Sequence, residues 1–285
     1  MSKNRKKRTI VKIMLAVIFI SLVAWTVWGN LTVGVSCYTV ASNKLPASFD
    51  HYKIAVVSDL HNAEFGEKNS RLVQLTKDMA PDMIAITGDL VDSGKPDANV
   101  ALTLIQSLME IAPCYYVTGN HEAMIGAEYG KLEKALTDAG AVILRDRAVK
   151  LTKNGEFIQL AGLDDPSFTD RNSSVQAHML ETKLRQMDLT EDYCLLLSHR
   201  PETFGSYVSA GIDLVLSGHA HGGQFRLPFL GGIIAPNQGF LPKYDAGVYT
   251  QGHTTMIVSR GLGNSIIPFR FYNRPEIVVV ELICA

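Results

Sequence analysis

A layered α/β architecture is what this sequence predicts, and three observations predict it. Short apolar runs of four to six residues, too apolar to face water on either side, recur along the chain. Between them lie longer stretches with apolar residues at helical spacing and charges interleaved. Nearly every apolar run then ends in a compact cluster of Asp, Asn or His, which is where open α/β sheets place their ligand sites. Composition agrees: 47% hydrophobic residues with only 19% charged exclude a disordered chain, and 23 Gly with 11 Pro in 285 residues exclude a low-complexity one.

The first twelve residues carry Lys3, Arg5, Lys6, Lys7, Arg8 and Lys12 and no acid. The remainder therefore holds 21 basic against 28 acidic residues, a net −7, which argues against long nucleic acid as a partner. From Ile13 to Asn43 no side chain is charged, and Ile13 to Val27 is apolar apart from Ser21 and Thr26. That run is long enough to span a bilayer, with Trp25 and Trp28 at its far end where headgroups lie. The basic flank predicts residues 1–12 in the cytoplasm, 13–33 as a transmembrane anchor, and the rest outside. Cleavage as a signal peptide is the competing reading, but Trp25 to Asn30 offers no small-x-small site.

Residues 34–51, with Gly34, Asn43, Pro46 and Ser48 as breakers, read as a connector, and 52–285 as one domain. Strands are expected at Lys53–Ser58, Met83–Thr87, Cys114–Thr118, Phe157–Ala161, Cys194–Ser198 and Leu214–Ser217. Helices are expected at Ser70–Met79, Val100–Ile111, Tyr129–Ala139 and Ser174–Met187. Thr254–Ser259 and Ile277–Leu282 read as further strands, antiparallel and in a second sheet. The four cysteines, Cys37, Cys114, Cys194 and Cys284, lack CxxC spacing and read as small buried apolar residues. Nothing in the sequence speaks to oligomeric state.

The polar clusters are Asp59-Leu60-His61, Gly88-Asp89-Leu90-Val91-Asp92, Gly119-Asn120-His121-Glu122, Ser198-His199-Arg200-Pro201 and Gly218-His219-Ala220-His221-Gly222-Gly223. Taken singly, Asp59 or Asp89 reads as a cap or turn residue and His199 as a buried histidine. Taken together, five clusters of oxygen and imidazole donors at strand ends suit Mn, Fe or Zn, and two ions better than one. In D-x-H and H-x-H the two donors leave the same face of an extended backbone.

In this order the clusters resemble the signature of the calcineurin-like metallophosphoesterases: D-x-H, GD, GNH[E/D], H, GHxH. The S-D-L-H, T-G-D-L-V-D, G-N-H-E, L-S-H-x-P and S-G-H-x-H-G-G-Q forms are most similar to the membrane-anchored bacterial subgroup acting outside the cytoplasm. The resemblance implies a four-layer α-β-β-α sandwich of two mixed sheets flanked by helices, preceded by one transmembrane helix. It implies two divalent ions, Mn foremost with Zn or Fe as alternatives. Asp59, His61 and His221 would hold one, and Asn120, His199 and His219 the other, with Asp89 bridging. His121 would be the catalytic residue beside the phosphate, stabilising the transition state or protonating the leaving oxygen, with Asp92 or Glu122 either orienting it or serving only as supporting or capping residues. Asp92 stands where purple acid phosphatases carry a tyrosine ligand, so a ferric charge-transfer site is not expected. GNHE in place of GNRD weakens a likeness to the cytoplasmic lipid A pathway pyrophosphatases.

The mechanism implied is attack by an ion-bridging hydroxide on a phosphodiester or pyrophosphate, with a lipid-linked or envelope substrate expected from the anchor. A cyclic or small-nucleotide phosphodiesterase, and a non-catalytic metal-binding membrane scaffold, are the alternatives. Arg200 is a candidate two-oxygen phosphate clamp. Gln224, Arg226, Tyr249 and Arg260 are weaker pocket candidates, while His51, His178 and His253 lack motif context.

Overall fold

The computed structural model describes Ser2–Ala285; Met1 and the side chain of Lys3, both in the expected basic segment, lie outside the described residues. Helix α1 (Ser2–Leu31) leads into β1 (Gly34–Ser42), β2 (Tyr52–Val57), α2 (Ser70–Asp78), β3 (Met83–Thr87), α3 (Ala98–Met109) and β4 (Cys114–Val117). Then come α4 (Asn120–Met124), α5 (Tyr129–Asp138), β5 (Val142–Ile143), β6 (Arg147–Lys153), β7 (Glu156–Gly162) and α6 (Ser173–Gln186). β8 (Cys194–Leu197), α7 (Phe204–Ser209) and β9 (Leu214–Ser217) follow. Two small ribbons pair β10 (Arg226–Leu227) with β11 (Gly231–Gly232) and β12 (Ile234–Ala235) with β13 (Gly239–Phe240). The chain ends with β14 (Gly247–Gln251), β15 (Thr254–Val258) and β16 (Glu276–Cys284).

Two mixed six-stranded sheets result, ordered β1-β16-β2-β3-β4-β5 and β14-β15-β9-β8-β7-β6. Their parity follows from alternation along each strand. Ile54 and Val56 of β2 join Leu195, Leu197, Leu214 and Leu216 in the core between the sheets. Ala55 and Val57 face the opposite way, against Leu72 of α2, Leu104 of α3 and Leu132 of α5. On the far side, Leu196 and Val215 pack under Leu180 of α6 and Tyr207 of α7. Helix, sheet, sheet and helix thus form four layers, as the family resemblance implies.

Two expectations change. The stretch expected as a connector contains β1, which pairs in parallel with β16 from Gly34↔Glu276 to Ser42↔Cys284. Tyr38 and Val40 pack on the inter-sheet core while Cys37, Thr39 and Ala41 are exposed, a one-sided edge strand whose partner is far off in sequence. Ile277–Leu282 lies within β16 in the first sheet, not a second one, antiparallel to β2 and parallel to β1. Its residues feed both the inter-sheet core and the helix layer, so an interior position is the one that buries both faces. Thr254–Ser259 is in the second sheet as expected, where β15 runs antiparallel to β14 and parallel to β9.

Helix α1 is long and apolar enough to cross a membrane over Arg5–Leu31, and none of its most apolar window is buried. Cys114 and Cys194 are buried as expected, whereas Cys37 is exposed and Cys284 half-buried; all four are free.

Candidate metal centre

The expected metal ligands, His121 and Arg200 all follow the carboxyl ends of parallel strands: β2, β3 and β4 in one sheet, β8 and β9 in the other. The loops that carry them are stitched together by backbone bonds, Asp59 N–H to Gly88 O (3.0 Å) and His61 N–H to Asp89 O (3.0 Å) among them. The backbone is not extended there. Asp59, His61, Asp89, His219 and His221 all have positive φ, between 45° and 66°. Such values are uncommon for side chains with a Cβ and are held where surrounding structure demands them. D-x-H and H-x-H therefore converge through left-handed turns just past the strands, not by sharing a strand face.

Three groups of side chains could hold an ion: two fully buried, Asp59, His61, Asp89 and His221, and Asp89, His199 and His219, and a third, His61, Asp92 and His121, in which Asp92 is half-buried. His61 Nε2 lies 3.2 Å from His221 Nε2, which is 3.6 Å from Asp59 Oδ1. In the second group His199 Nε2 is 3.1 Å from His219 Nδ1 and 3.2 Å from Asn120 Oδ1. Asp89 belongs to both. Its Oδ1 accepts the His121 N–H at 2.8 Å, leaving Oδ2 at 3.2 Å from His199 Nε2 and 3.6 Å from His61 Nε2. His199 Nδ1 donates to Thr87 O at 2.7 Å, which frees Nε2 as a lone-pair donor.

The donor set fits two divalent ions. Imidazole nitrogens and carboxylate oxygens crowded face to face in a buried space offer a divalent cation a ready set of ligands. Burial keeps His61, His219 and His221 below their ordinary pKa, so these rings are neutral ligands at physiological pH. Burial also pulls His199 down, but the Asp89 carboxylate overrides it and holds His199 up at about 10. An ion binding to His199 must displace that proton. Divalent-ion affinity of the stripped protein should therefore rise about tenfold per pH unit from pH 6 to 9, measured by calorimetric titration. A flat profile would contradict it.

A cavity of about 270 Å³ opens over the centre, lined among others by Asp89, Asn120, His121, Arg200, His219 and His221. His121 Nδ1 accepts the Ser93 N–H at 2.9 Å, so its proton sits on Nε2, 3.1 Å from Ser265 Oγ. The backbone of Ser93 thus orients this ring. Asp92 Oδ2 is 3.7 Å away, and Glu122 is turned inward, accepting N–H bonds from Asp89, Leu90 and Gly119 at 2.7–2.8 Å. Burial, with Asp89's charge behind it, raises Glu122 to about 7.

Arg200 is buried at the cavity wall, yet its fork is occupied by Asp165, Nε to Oδ2 at 2.5 Å and Nη2 to Oδ1 at 2.9 Å. The remaining Nη1 faces His219 Nε2 at 3.0 Å, so the two-oxygen clamp expected of Arg200 is not available in this geometry. Arg171 and Asn237, which carry no motif, line the same cavity. Gln224 instead holds the carbonyls of Ile267 and Phe269, Arg226 and Tyr249 bind Asp245, and Arg260 pairs with Glu276. His51 pairs with Glu281 at the surface, and His178 and His253 are exposed.

Close approach explains Gly119. A Cβ there would lie 2.7 Å from Asp89 N and closer still to the Asp89 carboxylate. Gly119→Ala should cost about 1–3 kcal/mol through overpacking, lowering Tm by about 3–10 °C in a thermal melt. An unchanged Tm would show that the loops yield freely.

The family model for calcineurin-like phosphoesterase matches residues 52–223. The chain is 33% identical over 256 residues to the uncharacterized metallophosphoesterase YkuE of Bacillus subtilis, covering 86% of this chain and 84% of that protein. It is 28% identical to the phosphodiesterase YaeI of Escherichia coli, over 81% of this chain and 82% of that one. A Danio rerio transmembrane protein with metallophosphoesterase domain is 30% identical, over 84% of this chain and 55% of its own. With its motif donors gathered in two ion-holding groups, the chain belongs to the calcineurin-like phosphoesterase family and is a metal-dependent hydrolase.

Proposed function

We propose that this protein is a membrane-anchored phosphodiesterase whose centre takes two divalent ions, Mn preferred. Asp59, His61 and His221 hold one, and Asn120, His199 and His219 the other. The observation that carries this reading is Asp89 Oδ2, a single oxygen aimed at both groups, 3.6 Å from His61 Nε2 and 3.2 Å from His199 Nε2. The bound ions supply Lewis acidity for the phosphate and for the attacking water. His121 would point its Nε2–H at the leaving oxygen and stabilise the negative charge that grows there as the phosphorus–oxygen bond breaks, an orientation its Ser93 contact fixes. Arg200, held by Asp165, stiffens His219, and Arg171 at the rim meets free phosphate oxygens.

The basic N-terminal flank and the single apolar helix support an orientation with the domain outside the cytoplasm, and the transmembrane relative supports the anchor. A site tied this closely to a bilayer favours a lipid-linked or envelope phosphodiester or pyrophosphate. The test is hydrolysis of a nitrophenyl phosphodiester and the matching monoester by the full-length protein in detergent, with Mn, Zn, Fe or Mg added after stripping. Ion-dependent turnover favouring the diester is expected. Turnover that survives stripping, or none with any ion, would overturn the reading.

A further inference from the structure

Beside the metal centre runs a groove of about 350 Å³ walled by Ile234, Ala235, Pro236, Ile266 and Ile267, with no Asp, Glu, Lys or Arg among its lining residues. It shares His221, Asn237, Ser265 and Ile266 with the catalytic cavity, so the two spaces adjoin. A second groove, about 570 Å³, lies between Leu22, Val23, Val27 and Leu31 of α1 and Pro268, Phe269 and Phe271. The segment 264–271 thus has the metal centre on one flank and the apolar helix on the other.

This segment is firmly placed. Asn30 and Arg270 exchange two hydrogen bonds, Nδ2 to O at 2.8 Å and N–H to Oδ1 at 2.7 Å. Arg270 Nη2 reaches 3.4 Å from His221 Nδ1, so two contacts join the end of the helix to a candidate ligand. Trp25 packs on Phe271 and Tyr272, and Arg274 lies over Trp28 at 4.9 Å. Leu22 precedes Trp28 by six residues, about 9 Å along the helix axis. With the tryptophans at headgroup level, Phe269 and Phe271 therefore stand at the depth of the last apolar turns.

The rims of the site are apolar too. Ile266 is 95% exposed, and Phe240, paired with Ile234 of the groove, is 76% exposed. Apolar surface beside a site marks a membrane or partner contact, and the segment that carries Ile266 packs on α1 through Phe269 and Phe271, which selects the bilayer.

Resting on the phosphodiesterase reading above, we propose that this groove holds an acyl chain of the substrate, a membrane lipid whose phosphoester is cut. The chain lies along Ile234, Pro236, Ile266 and Ile267 while its phosphate sits beside His121 and Asp89. Phe269 and Phe271 form the entry from the bilayer. The wall of Ile234, Ala235, Pro236, Ile266 and Ile267 offers a hydrocarbon chain contact, the Gln224 amide is spent on the carbonyls of Ile267 and Phe269, and the polar His221, Asn237 and Ser265 lie where the groove meets the catalytic cavity and the phosphate would sit.

The test uses the full-length protein in nanodiscs with Mn and nitrophenyl phosphodiesters whose second ester is methyl, butyl or octyl. Each methylene taken from water is worth a factor of about four, so three buried methylenes raise kcat/KM about 60-fold from methyl to octyl. In an Ile234→Asp, Ile266→Asp double variant the octyl-to-methyl ratio should fall below about fivefold. A ratio near one in the native protein, or one the variant retains, overturns the proposal. A phospholipid with a diazirine in its chain, photolysed with the ion-stripped full chain, should label 233–241 and 264–271. Labelling confined to α1 overturns it. Labelling of those loops without turnover of any diester supports the groove and removes the phosphodiesterase reading instead.

Discussion

Asp89→Asn should lower kcat/KM on a chromogenic diester by about 10³-fold or more and reduce the bound ions from two per chain to one or none. Asp89 Oδ1 is committed to the His121 N–H, so the amide nitrogen of Asn cannot sit there without breaking that bond. It must occupy the Oδ2 position, facing His199 Nε2 and His61 Nε2, where an N–H cannot ligate. Loss of transition-state charge stabilisation of about 4 kcal/mol corresponds to about a thousandfold in rate. Elemental analysis beside kinetics reads both effects. Activity within tenfold of the native chain would rule out Asp89 as the shared ligand.

His121→Ala is expected to remove about 10²–10⁴-fold of activity while both ions stay bound. His121 lies outside the two buried donor groups built on Asp89; it sits near His61 and Asp92 in a third cluster, but its Nδ1 there is spent on the Ser93 N–H, and its Nε2 opens to the cavity. The size of the loss should depend on the leaving group. A nitrophenolate spreads its charge over the ring, so its ester should lose least, whereas an alkyl ester, whose leaving oxygen concentrates charge for the Nε2–H to stabilise, should lose most. Equal losses on both would assign His121 to phosphate binding in place of leaving-group stabilisation. Loss of an ion would make it a ligand.

Much of the site is legible in the sequence because each donor is announced by the same local event, an apolar run that stops at a polar cluster. Met83–Thr87 and Leu214–Ser217 match their strands residue for residue. The interior strands were readable because burial on both faces leaves a continuous apolar run. β1 and β6 face solvent on one side, so their alternation is diluted by polar residues and breakers. Asp165 was unreadable for a different reason. It lies after β7 with no motif around it, and only the fold brings it to Arg200, whose fork it occupies.

The layered α/β class, the apolar N-terminal helix, the donor residues and the chemistry their types permit can all be read from the order of residues along the chain. Composition and local periodicity suffice for these, since each depends on neighbours within one turn or one strand. Tertiary structure alone decided the rest. It placed β16 between β1 and β2, set the ligands in left-handed turns, and gave His121 its tautomer through Ser93. It also brought loop 264–271 between the metal centre and α1. Each of these joins segments distant in the chain, and such contacts are selected by burial and hydrogen-bond satisfaction over the whole molecule, which no local pattern encodes.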